Sequence, residues 1–210
     1  MSADVTTAVE EALVGAGLAS GDSLRWRPIA VVEKFTDEQV AFVGRKLELP
    51  SLVAPSGDLL RGIAGAPELG VAADVGNLLT TAGLNRLTSL LIGAGGQAMT
   101  NTATRLGVGN SATAEAVGQT DLQASAGSGN RWFQIMDATY PQQSNGVVTV
   151  KATFATGDGN FVWNEWGIDI GTPTVSSGNT VAANFFNRKV ASLGTKASGS
   201  WVLTVTITIA

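Results

Sequence analysis

The chain has no cysteine and no histidine in 210 residues. Without thiols it cannot be stapled by disulfides, and the thiolate ligands of structural zinc are missing. Without imidazole it lacks the commonest general base, the commonest metal ligand and the side chain that titrates nearest neutral pH. Most hydrolytic mechanisms are thereby disfavoured, and no metal or cofactor is expected. Charge is scarce too, at 14% of residues with a net charge of -4. No run of Lys and Arg provides the footprint that nucleic acid requires. No uncharged apolar stretch reaches bilayer length, so no membrane partner is expected. Met1 to Leu18 does not read as a signal peptide, because Asp4, Glu10 and Glu11 stand where a basic start and an apolar run are required.

What is abundant is glycine, with 26 residues, together with many Ala, Ser, Thr and Asn. That composition describes a neutral, turn-rich surface of the kind found in assembled β-proteins. The clearest structural signal is at the end of the chain. In S-W-V-L-T-V-T-I-T-I-A, Trp201, Leu203, Val205, Ile207 and Ile209 share one face of an extended strand. Thr204, Thr206 and Thr208 share the other with Val202, and no Gly or Pro interrupts the period of two. Such a strand needs a second layer against which to bury its apolar face.

Upstream, Ser2 to Leu13 reads as a short amphipathic helix whose stripe includes Val5, Val9 and Leu13, a candidate docking element. Leu24 to Phe35 reads as extended, with Pro28 restricting it to a sheet edge. Thr36-Asp37-Glu38-Gln39 is a capping box opening a helix to about Leu47 that buries Val40, Phe42 or Val43, and Leu47. Pro50 to Gly76 is punctuated by Pro and Gly, with one helical turn at Asp58 to Ile63, and is the expected domain boundary. Asn77 to Ile92 predicts a helix capped by Thr81, with Leu84, Leu87, Leu90 and Leu91 lying across the sheet that follows. The Gly93-Ala94-Gly95-Gly96 turn follows a helix and lacks the Lys-Ser or Lys-Thr of a phosphate loop, so it does not predict nucleotide binding.

The period then changes to two. Strands are expected at Arg105 to Gly109, Arg131 to Asp137, Val147 to Phe154, Phe161 to Ile170, Ala183 to Leu193 and Ser200 to Ala210, with Asn145-Gly146 as a tight turn. The predicted fold is mainly β: an antiparallel, jelly-roll-like β-sandwich over residues 77–210, preceded by one helix at 77–92. Residues 1–76 form a smaller helical and irregular docking region.

Few residues could carry chemistry. Glu165 lies between Trp163 and Trp166, where desolvation could make it a general acid with Asp169 or Asp137 as the second carboxylate. The structural reading has Glu165 hydrogen-bonding backbone amides or pairing with Arg188 across the sandwich, and it is preferred because nothing marks a cleft. Asp158, Asn160 and Asp169 are oxygen ligands near loops, but T-G-D-G-N is an incomplete calcium loop. Trp132, Trp163, Trp166 and Trp201 could stack on sugars, although such residues more often fill cores.

The order of G-L-N-R-L (Gly83 to Leu87), R-L-G-V-G-N-S-A-T-A (Arg105 to Ala114), T-D-L (Thr120 to Leu122), M-D-A-T-Y-P (Met136 to Pro141), A-T-F (Ala152 to Phe154), W-N-E-W-G-I (Trp163 to Ile168), F-N-R-K-V-A-S-L-G-T-K (Phe186 to Lys196) and W-V-L-T-V-T-I-T-I resembles accessory virion proteins of tailed bacteriophages, especially those of actinobacteria. The resemblance covers residues 77–210. It implies a non-enzymatic structural component displayed on the particle as a capsid decoration, cement or head-appendage protein. The alternatives are a minor tail or fibre-like protein that binds host-surface glycans, and a carbohydrate-active sandwich enzyme using Glu165. The implied partners are copies of the chain, by analogy a homotrimer, and the major capsid or tail proteins. The implied location is the virion, assembled in the host cytoplasm. On this reading the face of Thr204, Thr206 and Thr208 is the assembly surface.

Overall fold

The computed structural model describes residues 26–171 and 185–209. Two five-stranded antiparallel sheets face one another. The first runs β2 (Val71–Val75), β1 (Trp26–Phe35), β10 (Ser200–Ile209), β7 (Val147–Phe154), β6 (Gln142–Ser144). The second runs β3 (Leu78–Leu79), β9 (Phe185–Thr195), β8 (Val162–Ile170), β4 (Thr104–Gly109), β5 (Arg131–Ile135). The fold is a mainly β antiparallel sandwich.

The alternation read in β10 sets its place. It is the middle strand of the first sheet, paired with β1 from Trp26↔Ile209 to Phe35↔Ser200 and with β7 from Trp201↔Phe154 to Thr208↔Val147. Leu203, Val205 and Ile207 are buried in the core with Ala30 and Val32 of β1 and with Leu106, Val108, Trp166 and Ile168 of the other sheet. Trp163 bridges the layers, edge-on to Phe154 at 4.7 Å and to Trp201 at 4.9 Å. The β6–β7 turn has Asn145 at φ 49° and Gly146 at φ 77°, the pair of left-handed residues that a tight hairpin demands.

Two expectations need correction at β1. The strand is interior, between β2 and β10, and not at an edge. Pro28 is accommodated because its carbonyl accepts from Gly76 N at 2.8 Å just past the last β1–β2 ladder pair, Ile29↔Val75, so the N–H it lacks falls where β2 has ended. Residues 26–35 and 71–75 are therefore part of the first sheet, and the sandwich begins N-terminal of the boundary expected at residue 76.

Three helical pieces decorate this frame. Helix α1 (Asp37–Lys46) starts on the expected box: Gln39 N donates to Thr36 Oγ1 at 3.1 Å, and Thr36 N donates to Gln39 Oε1 at 3.2 Å. The short α2 (Gly57–Leu59) continues into a π-helical turn at Leu60–Ala64. Val43 and Leu60 cover Phe35 and Val202 on the outer surface of the first sheet, whereas Phe42 and Leu47 are exposed. Helix α3 (Thr81–Leu91) is capped by Thr80, whose hydroxyl accepts from Gly83 N at 2.9 Å, and not by Thr81. Residues 78–79, expected as helix, instead pair with Arg188 and Asn187 of β9.

Helix α3 docks by its glycine. A Cβ on Gly83 would collide with the carbonyl oxygen of Phe186, while Leu84, Leu90 and Leu91 are exposed and do not lie across a sheet as expected. Gly83→Ala is expected to push α3 away from β9 and cost about 1–3 kcal/mol, read from thermal unfolding. An unchanged midpoint would show that the helix gives way freely.

Candidate functional site

The outer surface of the second sheet is built on small residues. Gly107 and Gly109 of β4 leave no side chain there, and a Cβ at either would strike Phe133 or Glu165. Over this floor lies the segment 110–130, held by charge. A bulge between Trp163 and Glu165 breaks the alternation of β8, so both Trp163 and Trp166 enter the core while Glu165 faces outward beneath that segment. Glu165 accepts from Ala124 N at 2.7 Å and Gln123 N at 3.0 Å. Arg188 donates from Nε to Glu165 at 2.7 Å and from its outer nitrogens to Thr113 O at 2.8 Å and Gln119 Oε1 at 3.0 Å. Both side chains are buried, at 0% and 1% exposure. Glu115 accepts from Val190 N at 2.7 Å, Arg131 pairs with Asp121 at 2.6 Å, and Leu122 packs with Phe133 and Phe185.

Glu165 and Arg188 thus sit on neighbouring strands of one sheet, not across the sandwich. They fix a strap to a sheet instead of one sheet to the other. With its oxygens committed to two amides and a guanidinium, and no solvent access, Glu165 has no route by which to protonate a substrate.

The other carboxylates do not converge. Burial raises the pKa of Asp137, whose oxygens accept from Gly57 N, Thr153 N and the Thr153 hydroxyl. Burial also raises Asp158, which accepts from Ala155 N. Asp169 lies in the field of Arg105. Among the described residues no group of three or more Asp, Glu, His or Cys is placed to hold a metal ion.

The T-G-D-G-N loop already contains a cation of its own. Lys196, 1% exposed, donates to Ala155 O at 2.8 Å, Thr156 O at 3.3 Å and Asn160 Oδ1 at 2.8 Å. Its ammonium fills the place read in the sequence as an incomplete calcium site. Burial lowers its pKa to about 8, opposed by the nearby charges of Asp158 and Asp37.

Of the four stacking candidates, Trp163, Trp166 and Trp201 are buried and Trp132 is partly buried, its indole N–H bonded to Gln134 at 2.9 Å. Thr204, Thr206 and Thr208 are half-buried on the outside of the first sheet, beside Ile29 and Val31 of β1 and Thr149 of β7. The charges nearest the helical end of this surface are paired, Lys151 with Asp58 at 2.6 Å and Glu33 with Arg61 at 3.3 Å. Val5, Val9 and Leu13 lie outside the described residues.

One feature had no sequence signal. At the end of the sandwich where β1 begins and β10 ends, the sheets part to leave a cleft of about 290 Å³. Trp26, Val148, Phe186, Ile207, Leu87 and Leu90 are among its walls. Five different elements contribute these residues, so no local pattern reveals them. No family model, no curated protein and no solved structure matches the chain.

Proposed function

We propose that this chain is a non-enzymatic structural component of a tailed-phage virion, carried on the particle surface as a capsid decoration, cement or head-appendage protein. It works by burying the outer surface of its first sheet against copies of itself, as a homotrimer, or against the major capsid or tail protein. The observation that carries the reading is that surface: Thr204, Thr206, Thr208 and Thr149 alternate in register with Ile29 and Val31, half-buried, with Arg27 the charge at its far rim. A flat β-branched surface with few charges suits association better than solvation. The buried charges described above are engaged within the fold, which agrees with a protein whose work is contact.

Thr206→Lys places an ammonium in the middle of this surface without touching the core. It should abolish self-association or particle binding in sedimentation while the thermal midpoint moves by less than about 1 kcal/mol equivalent. Val205→Lys, one residue away and facing the core with 0% exposure, should prevent folding. Assembly that survives Thr206→Lys would overturn the assignment of this surface. Cryo-microscopy of intact particles tests the placement: density on the head supports decoration, density on the tail supports the minor tail alternative, and absence from particles overturns both.

A further inference from the structure

The cleft between the sheets has the composition of a ligand site. Its floor is aliphatic and aromatic, from Val148, Ile170, Phe186 and Ile207, and one wall is an indole held in place from two sides. Trp26 packs edge-on against Phe186 at 5.3 Å, and its N–H donates to Asn77 Oδ1 at 2.7 Å, two contacts that set the orientation of the ring. Arg86, Gln142 and Gln143 are the long polar side chains of the cleft's lining. Among the described residues Arg86 is the single charged side chain of the lining, and the lining contains no carboxylate. Its Nη1 donates to Gln97 O at 2.7 Å, which anchors the guanidinium, and among the described residues its other N–H groups have no hydrogen-bond partner. An apolar cavity with a few convergent polar groups is the usual architecture of a small-molecule site.

We propose that this cleft binds a single-chain anionic amphiphile, a medium-length aliphatic carboxylate whose chain lies on Phe186, Ile207 and Val148 and whose carboxylate meets Arg86. Charge decides the headgroup. A lone guanidinium in a lining without carboxylates among the described residues favours a carboxylate, which it can hold through paired N–H donors, over a neutral or cationic head. The proposal is independent of the virion reading, because it concerns the isolated chain.

The test is isothermal calorimetry on the full-length protein with decanoate, and with decanol as the uncharged counterpart. Saturable binding at one per chain is expected, with decanoate the tighter ligand. Arg86→Gln should weaken decanoate by roughly tenfold or more and leave decanol unchanged. Leu90→Trp, on the exposed side of α3, should fill the mouth and eliminate binding of both without disturbing the core. Val148→Phe should do the same from the floor, with circular dichroism confirming that the variant is folded. Absence of saturable binding, equal affinity for decanoate and decanol, or indifference to Leu90→Trp would each overturn the proposal. Binding to phospholipid vesicles without binding to monomeric decanoate would overturn it as well.

Discussion

Arg188→Met is expected to be among the most damaging single substitutions outside the hydrophobic core, costing about 3–5 kcal/mol in denaturant unfolding. The reason is what it leaves behind. Arg188 meets Glu165, Thr113 and Gln119 at once, and its loss would leave the Glu165 carboxyl, at 0% exposure, buried without its guanidinium partner. The loss should also be local: amide exchange should accelerate first at Gln123 and Ala124, which donate to Glu165, and at Val190, which donates to Glu115 of the same strap. Glu165→Gln should cost less, because the amide oxygen can still accept from Ala124 N. Replacing both partners, as Glu165→Leu with Arg188→Met, should recover part of the loss, since the unpartnered buried carboxyl is gone. A single-variant loss below about 1 kcal/mol would mean that the pair contributes little to holding residues 110–130.

The geometry around this pair shows what a sequence can and cannot disclose. Strand β10 and the capping box at Thr36 were legible because their signals are local, one a strict alternation and the other a spacing of three residues. The position of β1 was not, because pairing Trp26 with Ile209 joins residues at opposite ends of the chain, and Pro28 argued for an edge. Only the register shows that the missing N–H falls beyond the end of β2. The bulge in β8 was also hidden. Read as a regular strand, residues 163–166 would point Trp163 and Glu165 to one face, whereas the inserted residue turns Glu165 outward and keeps both tryptophans in the core. The glycines of β4 did carry a usable signal: glycine inside a strand marks close approach of another segment, and Gly107 and Gly109 are where the strap lies down. Cation-holding loops read from oxygen ligands alone are also ambiguous, because a lysine from a distant hairpin can occupy them.

That lysine gives the second large effect. Lys196→Met should lower stability by about 2–3 kcal/mol at pH 7, where the ammonium is charged, because Ala155 O, Thr156 O and Asn160 Oδ1 lose their shared donor. The loop is also tied to its surroundings through Asp37, which accepts from the Thr156 hydroxyl at 2.9 Å and Gly199 N at 3.1 Å, so its loosening should reach α1 and the β9–β10 turn. The pH dependence separates this account from simple loss of packing. Lys196 releases its proton at about 8 in the folded chain, against 10.5 ordinarily. Between those values the unfolded chain holds a proton that the folded chain has given up, so this residue makes stability rise with pH across that window and contributes no slope below it. Burial also lowers Lys34; Lys151 is lowered by its burial but raised overall by its hydrogen bonds to Asp58 and Tyr140, and both lysines are present in the variant and cancel in the comparison. The difference in unfolding free energy between wild type and Lys196→Met, measured by urea titration from pH 7 to pH 10.5, should therefore grow in favour of wild type from about pH 8 upward. Parallel curves across the window would show that the loop oxygens and the charges of Asp158 and Asp37 offset the desolvation of Lys196 in full, and would overturn its lowered pKa.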